Sequence, residues 1–157
     1  MEIATLAGGC FWCTEAIFKK LKGVTEVTPG YTDQVETIQI SFDPKTISFE
    51  KLLEVFFATH DPSTVNQQGA DIGTQYRSVV FYHSDNQKQV AQKSKEEAQK
   101  YFSDKIVTEI TQASEFYPAA EEHRDFYEKN KSPMYCRLVI DPKIQKLYKD
   151  FKKDLKE

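Results

Sequence analysis

The chain has 157 residues, enough for one domain with a sizeable core. Hydrophobic residues make up 39% and charged residues 29%, as in an ordinary globular protein, while a net charge of −3 without a basic stripe argues against a nucleic-acid partner and the short apolar runs argue against a membrane span. Met1-Glu2-Ile3-Ala4 leads into no secretory pattern, and three cysteines, an odd number in a chain too large to need staples, point to thiols kept for reactivity or metal in a reducing compartment, the cytoplasm by default.

Residues 1–157 read as a single domain, with no repeat, low-complexity tract or linker. Glu2 to Ala7 predicts a strand, broken by Gly8-Gly9, and a helix starts near Cys10 with Cys13, Ala16, Ile17 and Leu21 as its stripe and Gly23 as its stop. Val24–Tyr31 and Val35–Phe42 read as paired strands around Thr32-Asp33-Gln34. Ser48 is placed to cap a helix with its stripe at Phe49, Leu52, Leu53, Phe56 and Phe57, ending at His60-Asp61-Pro62. A polar loop over 62–74 follows, then a strand from Gln75 to His83. Ser84 and Gln87 have capping-box spacing for a charged helix to Phe102. Ile106–Ile110 predicts a strand, Pro118–Asn130 a short helix and Tyr135–Ile140 a last strand. Asp141-Pro142 opens an amphipathic helix with Ile144, Leu147, Tyr148, Phe151 and Leu155 inward. The expected class is α/β (α+β): a ferredoxin-like mixed sheet with helices packed on it.

GGCFWCTE, residues 8–15, is the first chemical signal. A thiol at the first turn of a helix faces unpaired N–H groups and the positive end of the helix dipole, which favour the nucleophilic thiolate. The glycines before Cys10 let a substrate approach the backbone, although Glu15 opposes the dipole. A buried, inert cysteine is the plain alternative. Phe11 and Trp12 diverge by about 100° as helix neighbours, so at least one is left to line the mouth of a site and hold an apolar group such as a methyl on sulfur.

Strand alternation puts Glu36 on one face with Ile38, Ile40 and Phe42. Either the carboxyl is partly desolvated among them, which favours the neutral, proton-donating form, or it reaches solvent past the hairpin; alternation admits both. The loop from Gln68 to Arg77 offers the Tyr76 hydroxyl and the Asp71 carboxylate, and as a plain surface loop it would leave Arg77 in a salt bridge. His60 reads as a helix cap, His83 as an exposed strand end and His123 as part of a solvated charged face; none is given a lead role.

Taken together, GGCFWCTEAIF, PGYT, VETIQISFDP, ATHDPSTVNQQGADIGTQYRSVVFY, FYPAAEEH and PMYCRLVIDPK resemble, in order and over nearly the whole chain, the A-type peptide methionine sulfoxide reductases. The resemblance implies a cofactor-free enzyme that reduces the S epimer of methionine sulfoxide, free or in oxidised proteins, and is recycled by thioredoxin; a monomer is expected, and the charge and short apolar runs leave no nucleic-acid or membrane partner expected. It implies Cys10 as nucleophile, Glu36 as the acid that protonates the sulfoxide oxygen, Phe11 and Trp12 as walls around the substrate methyl, and Asp71 and Tyr76 as polar lining. Cys13 and Cys136 both match positions where relatives carry a recycling cysteine; Cys13, one turn from Cys10, needs the least chain movement and is preferred, with Cys136 as the alternative.

One departure stands out. Relatives carry a long segment between the GYT motif and the catalytic glutamate, and here only Asp33, Gln34 and Val35 separate Thr32 from Glu36. That segment normally holds a second tyrosine whose hydroxyl helps hold the sulfoxide oxygen. Either Tyr76 works alone with Glu36 or another group fills in. The competing readings are a thioredoxin-like CxxC disulfide exchanger, a structural Cys₃His zinc site built on Cys10, Cys13, Cys136 and one histidine, and a non-catalytic interaction domain.

Overall fold

Apolar residues at every second position of the early strands build one large core on one face of a sheet. The structure, a computed structural model, describes residues 1–69, 71–124 and 140–156. Strands β1 (Glu2–Gly8), β2 (Val24–Thr32), β3 (Val35–Phe42) and β6 (Ser78–Tyr82) lie in the order β6-β1-β3-β2, and every neighbouring pair among them is antiparallel. With α1 (Phe11–Phe18) between β1 and β2 and α2 (Phe49–Ala58) after β3, this is the βαββαβ arrangement of a ferredoxin-like core, as expected. Strand β7 (Glu109–Gln112) extends one edge, parallel to β6, and the crossover a parallel pair requires contains α3 (Asp85–Gln99). A two-residue strand β8 (Tyr117–Pro118) closes the other edge against Gly30 and Tyr31 of β2. A small hairpin, β4 (Gln67–Gln68) with β5 (Asp71–Ile72), stands apart from the sheet.

Leu6, Ile38, Ile40, Phe42 and Val80 point to the face covered by α1, α2 and the last helix, α4 (Asp141–Phe151). A smaller cluster of Ala7, Val35, Val79 and Phe81 occupies the opposite face. Helix α2 follows its local signals: the Ser48 hydroxyl accepts from the Lys51 N–H at 3.0 Å, and Phe49, Leu52, Leu53, Phe56 and Phe57 are buried. The Ser84 hydroxyl likewise accepts from Gln87 N–H, while the Gln87 side chain reaches back to His83 N–H rather than to Ser84, one residue beyond the usual box.

Several boundaries differ from expectation, each for a non-local reason. Helix α1 ends at Phe18, before Gly23, because Lys22 N–H bonds Asp154 and Leu21 bridges Leu155. The strand expected from Gln75 begins at Ser78, because residues Thr74–Tyr76 take a turn of 3₁₀ helix after Gly73. Ile106–Ile110 is shifted to Glu109–Gln112: Ile106 N–H bonds the Gln99 side chain and Val107 N–H bonds Pro62, so pairing with β6 starts later. Part of the helix expected at Pro118–Asn130 is instead β8 and a 3₁₀ turn at Glu121–His123; the rest of it, and the strand expected at Tyr135–Ile140 up to residue 139, lie outside the described residues, while Ile140 itself has helical backbone at the start of the last helix because Asp141-Pro142 begins a helix there. Tyr148 of α4 faces solvent, under the Lys20 ammonium. No helix among the described residues is long and apolar enough to cross a membrane.

Candidate active site

Cys10 occupies the N-cap of α1 in extended backbone, and its carbonyl accepts the Cys13 N–H at 3.1 Å. Two glycines set this entry. A Cβ on Gly8 would press on the Phe56 and His60 rings. Gly9 has φ +93°, and a Cβ there would lie 2.6 Å from Gln68 Cγ. Gln68 has little room to yield, since its amide holds both Asp61 N–H and Asp61 C=O. The thiol therefore meets the helix terminus in a fixed position.

The β2–β3 hairpin brings the carboxyl to the thiol. Its turn has only two central residues, Asp33 at φ 51° and Gln34 at φ 65°. Such a tight turn locks the register, so Glu36 sits on the α1 face with Ile38 and Ile40, half-buried, and not out in solvent. Its Oε1 accepts the Phe11 N–H at 3.2 Å, satisfying one of the orphan donors of α1. The Cys10 side chain hydrogen-bonds the same carboxyl. Burial pushes the Glu36 pKa above the usual carboxylate range; the Phe11 N–H works against this, the Asp71 charge adds to it, and His123 and the Cys10 hydrogen bond oppose it.

The remaining expected residues gather around this pair. Phe11 is buried and Trp12 half-buried, with ring centroids 6.5 Å apart. Asp71 and Tyr76, on β5 and the 3₁₀ turn, lie within electrostatic range of Glu36. Burial raises the Tyr76 pKa, with Glu36, Asp71 and Cys10 adding to it, while the Gln75 side chain donates a hydrogen bond to its hydroxyl. Arg77 pairs with Glu109 at 2.8 Å, away from any role in the site. Cys13 is buried in the core one turn into α1. Cys136 lies outside the described residues.

Two residues of the site were not singled out from the sequence. His123 stacks on Trp12 at 5.9 Å and lies 6.1 Å from Phe11, so the charged stretch around it is more than a solvated face. Tyr31 sits edge-on to Phe11 at 5.4 Å, directly across the β2–β3 ladder from Glu36. Counting register back through a two-residue turn would have found Tyr31; nothing local marks His123. A cleft of about 690 Å³ opens beside Glu36 and Tyr31 and runs past the hairpin tip toward Glu115. Among the described residues no group of three or more His, Cys, Asp or Glu is arranged to hold a metal ion.

A buried thiol at a helix terminus, a raised carboxylic acid bonded to it and an aromatic wall form a site for thiol chemistry assisted by a proton. Comparison with known proteins agrees. The chain is 47% identical, over 168 aligned residues covering 96% of each chain, to "Peptide methionine sulfoxide reductase MsrA" of Sulfolobus acidocaldarius. Its fold matches Mxr1 from Saccharomyces cerevisiae in reduced form, with TM-score 0.77 and 34% identity over 86% of this chain and 88% of that one. It also matches Mxr1 in complex with Trx2, with TM-score 0.59 and 32% identity over 80% and 84% of the two chains. The sequence profile of the family described as "Peptide methionine sulfoxide reductase" matches residues 2–35 and 30–155, two stretches that meet at the β2–β3 turn, and with nearly every residue so accounted for the chain belongs to that family.

Proposed function

We propose that this chain reduces methionine S-sulfoxide, free or in oxidised proteins, to methionine, with Cys10 as nucleophile and Glu36 as acid. The observation that carries the reading is the hydrogen bond between the Cys10 side chain and a carboxyl whose burial favours the protonated form. A protonated Glu36 still accepts the Phe11 N–H on one oxygen and donates from the other. As the Cys10 thiolate attacks the sulfoxide sulfur, Glu36 delivers its proton to the sulfoxide oxygen. The protonated oxygen then migrates to Cys10: the transient bond between the two sulfurs and the substrate S–O bond break, a Cys10 S–O bond forms, methionine leaves reduced by two electrons, and Cys10, oxidised by two, is left as a sulfenic acid. Phe11 and Trp12 shelter the substrate methyl, and Asp71 and Tyr76 line its polar side.

A second thiol then attacks the sulfenic sulfur, forming a disulfide and expelling water. Cys13 is the preferred partner. Residues three apart on a helix hold their Cβ atoms about 5–6 Å apart, against about 4 Å in a disulfide, so the first turn of α1 has to shift by roughly 1–2 Å to close the bond. Cys136 is the alternative. The yeast relative solved with Trx2 supports a thioredoxin-type dithiol as the reductant, which donates two electrons and two protons by exchange. We read residues 1–157 as one domain, and the odd number of cysteines supports the cytoplasm as its compartment.

Single turnover without reductant tests this. The S epimer is expected to yield one methionine and consume two thiols per chain, the R epimer neither, and Cys10→Ser is expected to do nothing. Mass spectrometry of the oxidised chain names the disulfide; one that persists within Cys13→Ser transfers the resolving role to Cys136. A parent chain that leaves both epimers unreduced refutes the reading.

A further inference from the structure

We propose that the Tyr31 hydroxyl is a second donor to the sulfoxide oxygen, working opposite Tyr76 across the Glu36 carboxyl. The inference rests on the sulfoxide-reduction reading above. It starts from register: Tyr31 pairs directly with Glu36 in the β2–β3 ladder, so both side chains leave the sheet on the same face. The Tyr31 ring stands edge-on to Phe11, the residue whose N–H holds Glu36, so three contacts fix Tyr31, Phe11 and Glu36 as a unit. Tyr31 and Glu36 line the same cleft, and Tyr31 is 38% exposed, within reach of an incoming substrate.

Two other hydroxyls lining the cleft are already engaged. Ser114 donates to Asp33, and Tyr117, the neighbour of Tyr31 on β8, donates to Glu115. The Tyr31 hydroxyl has no hydrogen-bond partner among the described residues. Burial, Glu36 and Cys10 all push its pKa up, so it remains a donor throughout the working range. Like Tyr76, it lies within electrostatic range of both Glu36 and Cys10, the acid and the thiol between which the sulfoxide oxygen must sit. The short turn explains why this residue is available: with two central residues the hairpin keeps Tyr31 opposite Glu36, with no inserted chain between them.

The test is Tyr31→Phe, which keeps the ring on Phe11 and removes only the hydroxyl. Two rates are measured: reduction of methionine S-sulfoxide, and alkylation of Cys10 by iodoacetamide, which uses the thiol but has no sulfoxide oxygen. Losing one donor to a developing charge is expected to lower kcat/KM by roughly 10–100-fold, with alkylation within about twofold of the parent. Sulfoxide reduction within about twofold of the parent overturns the assignment. So does a parallel loss of alkylation, which would make Tyr31 a support for the thiol rather than a donor to oxygen. A parent that alkylates normally but reduces neither epimer instead overturns the reading on which the proposal rests.

Discussion

At the scale of single residues, the proposed chemistry turns on whether Glu36 keeps a proton. Its neutral form is favoured because the carboxyl is withdrawn from water beside the α1 terminus, and Asp71 strengthens the effect by placing a like charge nearby. A group with a raised pKa is active below that pKa and loses its function as pH rises through it. The descending, alkaline limb of kcat/KM is therefore expected above the ordinary glutamate range. Asp71→Asn removes one cause of the elevation and is expected to move that limb to lower pH, which a pH profile of kcat/KM measures; an unmoved limb assigns it to another group. Glu36→Gln keeps the size and the acceptor for Phe11 N–H but has no proton to give, and is expected to lower kcat by about 10²–10⁴-fold while the far-ultraviolet circular dichroism stays unchanged.

At the scale of elements, the β2–β3 hairpin decides what surrounds the thiol. Its turn holds two non-glycine residues in the left-handed region, and Gln34, unlike Asp33, belongs to a type that rarely goes there. Gln34→Gly is expected to raise unfolding stability by about 0.5–1 kcal/mol, read as a higher denaturant midpoint at unchanged slope; a lower midpoint would show that the turn carries no strain. The elements legible in the sequence were those made by local forces. Helix α2 has a hydroxyl cap and a stripe at helical spacing, and β2 and β3 alternate on either side of a tight turn, so each was found near its true bounds. The ones misplaced are held by distant partners: β7 begins only where β6 accepts it, and α1 stops where the C-terminal segment takes over its backbone. The site divides the same way. Cys10 follows from a helix entry, while alternation put Glu36 on the apolar face but left open whether it reached solvent until the tight turn fixed the register; His123 reaches Trp12 from more than a hundred residues away, with no periodicity to announce it.

At the scale of the whole molecule, the active turn rests on a joint that only the folded chain assembles. His60, buried at the end of α2, bonds the Phe56 carbonyl through Nδ1 and receives the Ser78 hydroxyl of β6 on Nε2 at 2.8 Å; Ser78 in turn meets the Thr108 hydroxyl at 2.8 Å. Its ring also lies under Gly8, at the entry to Cys10. With Nδ1 donating and Nε2 accepting, this chain of bonds requires the neutral imidazole. Burial holds the His60 pKa at about 4, below its ordinary 6.5. Between those values the unfolded chain binds a proton that the folded one refuses, so stability falls as pH drops from 6.5 toward 4 and this contribution levels off below. The gap corresponds to about 3 kcal/mol. His60→Gln carries no titratable group, so its unfolding free energy between pH 7 and pH 4 is expected to decline by about 3 kcal/mol less than that of the parent, measured by denaturant titration at each pH. Equal declines in the two proteins would mean that the buried ring is not what acid attacks. A decline confined to the parent would locate the molecule's acid sensitivity directly beneath the turn that carries its thiol.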